Sequence, residues 1–202
     1  MDDPQTVFVV DDDNEVREAL AAIIEAVGYR PKICTSAEDF LAVVTPDTEG
    51  CAILDIEMPG MSGLELQTLM ARRGIALPTI VMTGHADVPR AVQALKNGAV
   101  DFVEKPCSAE ALLDSVRRAL GQGRARRKKA SAQRRARDLM GLLTPRESDV
   151  ARLLADGLNN KEIARELDIS PRTVEVHRGR VMDKFDVPSL PGVVRIVIDA
   201  ED

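Results

Sequence analysis

A chain of 202 residues with 45% hydrophobic and 30% charged side chains has the composition of a soluble protein with room for one or two cores. Four phenylalanines, one tyrosine and no tryptophan exclude nucleic-acid binding by base stacking, and no apolar run reaches the ~18 residues that would span a membrane. The net charge of −6 divides unevenly: residues 1–121 hold 10 Lys and Arg against 20 Asp and Glu, whereas residues 122–202 hold 17 against 13, so two domains with different partners are expected. No basic region followed by a long apolar run opens the chain, and no signal peptide is expected. Cys34, Cys51 and Cys107 form no CxxC pair. Reduced, packed thiols in a cytoplasmic protein are expected rather than disulfides or a zinc site.

The first 120 residues alternate two patterns. Val7–Val10 is a short apolar run, and Val16, Leu20, Ile23, Ile24 and Val27 then recur at helical spacing until Gly28. Further strands are expected near 30–34, 51–54, 79–82 and 100–103, with helices near 37–44, 63–73, 87–97 and 108–120. Five strands alternating with five helices predict an α/β doubly wound, five-stranded parallel sheet. Residues 122–142, "QGRARRKKASAQRRARDLMGL", read as a basic linker, partly helical. From residue 143 the pattern is all helix and predicts a small all-α domain to residue 202. Thr144, Pro145 and Glu147 form a capped helix start. A short helix follows near 160–167, another begins at Ser170-Pro171, and a last one covers about 189–199.

In a parallel sheet, ligands gather beyond the carboxyl ends of the strands. Those ends carry Asp11-Asp12-Asp13, Asp55, Thr83-Gly84 and Lys105-Pro106. Singly, an aspartate there is usually a turn or cap residue and Lys-Pro a loop; together on four strand ends they favour a site. Crowded carboxylates repel unless a cation intervenes, and oxygen-only ligands suit Mg²⁺. Asp55 is the expected nucleophile of an aspartyl phosphate. Asp12 and Asp55, with Asp11 through water, would hold Mg²⁺. Lys105 would bind phosphate as a point charge, and Thr83 would hydrogen-bond one of its oxygens.

The segments "VFVVDDD", "LDIEMPGMSG", "VMTGHADVP" and "GAVDFVEKP" resemble a bacterial response-regulator receiver domain over residues 5–120. That resemblance implies phosphoryl transfer from a sensor histidine kinase to Asp55, with the backbone carbonyl of Glu57 joining Asp12 and Asp55 as metal ligands. It also implies a switch pair, Thr83 and Phe102, and a cis peptide between Lys105 and Pro106. An aspartate-nucleophile phosphatase of the haloacid dehalogenase type is the alternative chemistry. It needs a second aspartate two positions after the nucleophile, where this chain has Glu57.

Residues 143–187 are similar to the helix-turn-helix domain of the LuxR/NarL type, and "ISPRTVEVHR" with "TGHADVP" makes the whole chain resemble FixJ-type response regulators. Val174, Val181 and Phe185 fall on one side of the helix after Pro171 and form its expected core stripe. Arg172, Val176, Gly179, Arg180 and Asp183 lie opposite, flanked by Thr173 and Glu175. Val176 has no structural use on an exposed face but suits a thymine methyl. Arg172 and Arg180 suit base edges or phosphates, Glu175 a cytosine or a neighbouring arginine, and Lys161 a phosphate. Gly179 costs about 1 kcal/mol of helix propensity and would permit close backbone approach to DNA. His177 is either packed or a phosphate contact.

A phosphorylation-controlled DNA-binding transcriptional regulator is therefore expected, not an enzyme. Its implied partners are a sensor histidine kinase, double-stranded promoter DNA, a second copy on phosphorylation, and RNA polymerase. A phosphate sink with a decayed DNA-binding half is the competing class. Residues 141–202 alone hold nine Lys and Arg against twelve Asp and Glu. The basic run 124–137 is accordingly expected to bind flanking DNA phosphates, to dock on the acidic N-terminal half, or to serve as a solvated tether.

Overall fold

The computed structural model describes residues 4–84 and 88–201. The chain separates into two compact units, one ending at Arg126 and the other beginning at Arg127.

The N-terminal unit holds β1 (Thr6–Val10), α1 (Asn14–Ala26), β2 (Arg30–Cys34), α2 (Ala37–Val43), β3 (Cys51–Asp55), α3 (Gly63–Arg72), β4 (Thr79–Thr83), α4 (Val88–Lys96), β5 (Asp101–Glu104) and the start of α5 (Ala109–Gly141). The strands pair in parallel in the order β2-β1-β3-β4-β5. Alternate residues of β1, β3 and β4 enter opposite cores, as the two-residue repeat of a strand requires. Val7, Val9, Ile53 and Met82 pack with Leu20 and Ile24 of α1 and Leu112 and Val116 of α5. Phe8, Val10, Ala52 and Leu54 pack with Phe40 of α2 and Leu66 and Met70 of α3. Covered on both faces, β3 and β4 are buried throughout, which is why both read as unbroken apolar runs ending in a polar residue.

The C-terminal unit adds α6 (Pro145–Ala155), α7 (Asn160–Glu166), α8 (Pro171–Phe185) and α9 (Leu190–Glu201). Thr144 caps α6 through the expected reciprocal pair with Glu147, and Ser170 caps α8. Asn159 and Glu162 form a further capping box at α7. Asp168 occupies the left-handed region (φ 52°) in the turn between α7 and α8. Val174 packs with Val150, Leu154 and Ile163, while Val181 and Phe185 pack with Ala151, Val193 and Val197. The predicted core stripe of α8 is therefore the buried one.

One expected boundary differs. The hydrophobic pattern ends a helix at Leu120, yet α5 runs on to Gly141. Its extension is rich in alanine, arginine, lysine and glutamine, all strong helix formers. These sustain the helix past Gly121 and Gly123 without an apolar stripe to reveal it.

Cys34 and Cys51 are free and buried and Cys107 is free and half-buried. Burial pushes the Cys51 thiol up to about 12 and the Cys34 thiol to about 11, so neither is a nucleophile. Among the described residues, no helix is long and apolar enough to cross a membrane.

Candidate functional site

The parallel register brings the strand ends together as the sequence requires. Asp55 closes β3 opposite Met82, and Thr83 closes β4 opposite Glu104. Asp11 and Asp12 follow β1, and Lys105 follows β5. The carboxylate oxygens of Asp11, Asp12 and Asp55 lie within 4.8 Å of one another. Asp11 and Asp55 are 2% and 5% exposed, whereas Asp12 faces solvent. The Lys105 Nζ bridges the two buried acids, 2.5 Å from Asp11 Oδ2 and 2.8 Å from Asp55 Oδ1.

The electrostatics follow from that packing. Burial pushes the Asp55 carboxyl above its ordinary range; Lys105 opposes the shift, and Asp11 and Asp12 reinforce it. Burial alone would lower Lys105, but its hydrogen bonds to Asp11 and Asp55, with their charges, outweigh that and raise it. Among the described residues, Lys105 is the cation paired with carboxylates of this group, and it engages two of the three. Oxygen donors carrying excess negative charge fit a hard divalent cation such as Mg²⁺.

The remaining expected residues take the following positions. Thr83 is completely buried at the end of β4, and its carbonyl accepts from the Lys105 N–H at 2.7 Å. The Lys105–Pro106 peptide is cis. Phe102 on β5 is half-buried and packs with Ile56, Val81 and Ala94, so it adjoins the residue after Asp55 and one side of α4. The Glu57 side chain is exposed and reaches Arg90 of α4 at 2.5 Å.

Sequence reasoning named Asp13 at the end of the first strand without a role at the site, and it missed Arg17 and Gly63. Asp13 caps α1, accepting from the N–H groups of Glu15 at 2.8 Å and Val16 at 3.3 Å, and its own N–H donates to Asp11 Oδ1 at 3.0 Å. Arg17 is only 8% exposed and donates from Nη1 to the Asp11 carbonyl at 2.8 Å. It occupies the buried face of α1 with Leu20 and Ile24; a charge at core spacing was the available signal. Gly63 starts α3 so close to β3 that a Cβ there would stand 2.2 Å from the Asp55 carbonyl oxygen. The turn before it is set by Gly60 (φ 81°) and by the Ser62–Glu65 capping box. The S-x-x-E pattern of that box is its one signal in the sequence.

On α8 the outward residues Arg172, Glu175, Gly179 and Arg180 are exposed, and Val176 remains 48% exposed. Thr173 is partly engaged by the helix start, its hydroxyl 2.8 Å from that of Ser170. Lys161 is exposed in the first turn of α7. His177 is half-buried with its Nδ1 enclosed and unpartnered among the described residues, which favours a packed ring. At Gly179 an added Cβ would meet nothing within 4 Å, so no intramolecular contact requires the glycine.

Two family models match the chain in order: the response regulator receiver domain over residues 7–117 and the bacterial regulatory proteins of the luxR family over residues 141–197. The transcriptional regulatory protein FixJ of Azorhizobium caulinodans is 45% identical over 192 residues, covering 95% of this chain and 91% of the relative. Nodulation protein W of Bradyrhizobium diazoefficiens is 41% identical, covering 94% of this chain and 84% of the relative. Among solved structures, response regulator StyR shares 40% identity with a TM-score of 0.84, covering 97% of this chain and 99% of that one. Full-length FixJ from B. japonicum shares 38% with a TM-score of 0.60, covering 98% and 97%. With both domains matched in sequence order and relatives similar along nearly their whole length, the chain belongs to the FixJ-type two-component response regulators, a family of phosphorylation-regulated, DNA-binding transcription factors rather than enzymes.

Proposed function

We propose that Asp55 is the phosphoryl acceptor and that a sensor histidine kinase in the cytoplasm is the donor. The observation that carries this reading is the position of Asp55: a buried carboxylate at a strand end, 2.8 Å from the Lys105 ammonium and grouped with Asp11 and Asp12. An Asp55 oxygen forms the new bond to phosphorus as the bond from phosphorus to the donor imidazole nitrogen breaks, and that nitrogen keeps the electron pair. Lys105 then exchanges one carboxylate partner for a phosphoryl oxygen. Asp11, Asp12, Asp55 and the carbonyl of Glu57 would hold Mg²⁺, which supplies charge neutralisation at the phosphoryl oxygens.

Thr83 and Phe102 are the proposed switch. Thr83 ends β4 and Phe102 lies on β5. Phe102 shares its small cluster with Ala94 of α4, so a change at Asp55 has a packed route to α4. Val88, Val92 and Leu95 of α4 are 76%, 43% and 51% exposed and lie at i, i+4 and i+7, one face of the helix. This apolar face supports pairing of two phosphorylated chains through α4 and β5.

DNA recognition is assigned to α8. Its Arg172, Thr173, Glu175, Val176, Gly179 and Arg180, with Lys161 of α7, are the proposed promoter contacts, His177 is assigned to packing, and RNA polymerase is the downstream partner. The proposed division is a receiver over 1–121, a connecting segment over 122–142 and a DNA-binding domain over 143–202. Incubation with labelled acetyl phosphate and Mg²⁺ tests the acceptor: the parent chain is expected to take up label and Asp55→Asn to take up none. Equal labelling of the variant would refute the assignment.

A further inference from the structure

From Arg127 onward, the basic run belongs with the DNA-binding helices in one unit. The end of α5 is anchored there: Ala136 is 3% exposed, and Leu139 and Met140 pack against the cluster of Ala151, Val181 and Phe185. Arg137 Nε also donates to the Ala200 carbonyl at 3.4 Å. At about 100° per residue, Ala136, Leu139 and Met140 share one side of α5; Lys128 and Arg135 lie about 20° apart along its edge, next to Leu139, and Arg134 lies opposite the packed side, so the three cations span an arc of about 120°. These three cations are exposed, and among the described residues no ion pair engages them.

Charge makes these three cations consequential. Residues 141–202 carry a net −3, a poor match for a polyanion. Starting the unit at Arg127 adds six basic residues and one acid and brings it to +2. From Lys128 to Arg135 the helix advances about 10 Å, the axial length of about three nucleotide steps on one strand at 3.4 Å each.

We propose that Lys128, Arg134 and Arg135 form a backbone clamp that binds phosphates flanking the site read by α8. The proposal rests on the DNA-binding reading above. It assigns the clamp affinity without sequence preference, because phosphate contacts carry no base information.

The test uses the full chain with acetyl phosphate and Mg²⁺, a duplex selected from a random pool by the parent chain, and a scrambled duplex of the same length. The dissociation constant is measured across a salt series for the parent and for K128Q/R134Q/R135Q. Glutamine keeps the helix propensity, and circular dichroism checks the fold; where the triple variant unfolds, K128Q and R135Q are measured singly. Removing one cation from a phosphate lowers the salt slope by about 0.9, so the triple variant is expected to be shallower by about 2–3 and each single variant by about 1. The preference for the selected duplex over the scrambled one is expected to stay constant. An unchanged slope overturns the clamp and is the result that docking on the acidic receiver would give; a shallower slope without that preference overturns it too. A parent chain that selects no duplex removes the DNA-binding reading itself, a distinguishable failure.

Discussion

Gly179 lies in the middle of α8, exposed, with open space where a Cβ would stand. Gly179→Ala therefore adds a methyl group without intramolecular collision and removes the backbone entropy that glycine loses on folding. The expected gain is about 0.8–1 kcal/mol, a roughly fivefold shift in a local opening equilibrium. Amide exchange at Val181 and Phe185, buried in the same helix, reads that shift as about fivefold greater protection. If the glycine permits the backbone to approach DNA, the same methyl meets a close-packed surface. Such insertions cost about 1–3 kcal/mol, on the order of tenfold in the dissociation constant. A variant more stable yet weaker in promoter binding is the expected pair of results. Reduced protection would refute the helix argument, and undiminished DNA affinity would refute the role assigned to Gly179 at the interface.

Glu147 makes a pH prediction. Its carboxyl is held at about 2 by the hydrogen bond from Lys184 at 2.7 Å and by the Thr144 N–H. Its folded value is depressed, so the pair's contribution is fully present above about 4.5 and is lost as pH falls through about 2. Lys184→Met is expected to flatten that acid dependence and to cost about 1–3 kcal/mol, measured by amide exchange in α6 and α8; an unaltered acid profile would contradict the pairing. Gly63→Ala forces a Cβ onto the Asp55 carbonyl, and about 1–3 kcal/mol of destabilisation with slower labelling by acetyl phosphate should follow. Normal labelling in a fully stable variant would mean the backbone there yields freely. Val92→Glu places a charge on the exposed face of α4 and should abolish pairing of the phosphorylated chain in sedimentation while leaving labelling intact; retained pairing would move the interface elsewhere.

The sequence was most legible where chemistry and periodicity coincide. Alternating apolar runs set the order of strands and helices, and the acids, threonine and lysine stood directly after those runs. Because a parallel sheet aligns its strand ends, position in the sequence was nearly position in space. The caps at Thr144 and Ser170 and the buried stripe of Val174, Val181 and Phe185 were equally local, each written within a few residues. The extension of α5 was legible only as a partly helical linker, because a helix of charged formers with no apolar face does not show in the sequence how far it runs.

Four features needed the tertiary structure. Lys105, 94 residues beyond Asp11, bridges Asp11 and Asp55, Arg17 supports the Asp11 backbone, Gly63 admits α3 to the end of β3, and Lys184 joins Glu147 across the C-terminal unit. Each depends on which elements become neighbours, and no local pattern encodes that. The sequence by itself determined the residues available for a phosphoryl pocket and a reading helix. The fold decided which of them share an electrostatic environment, because burial and proximity, not residue type alone, set the charge a side chain carries.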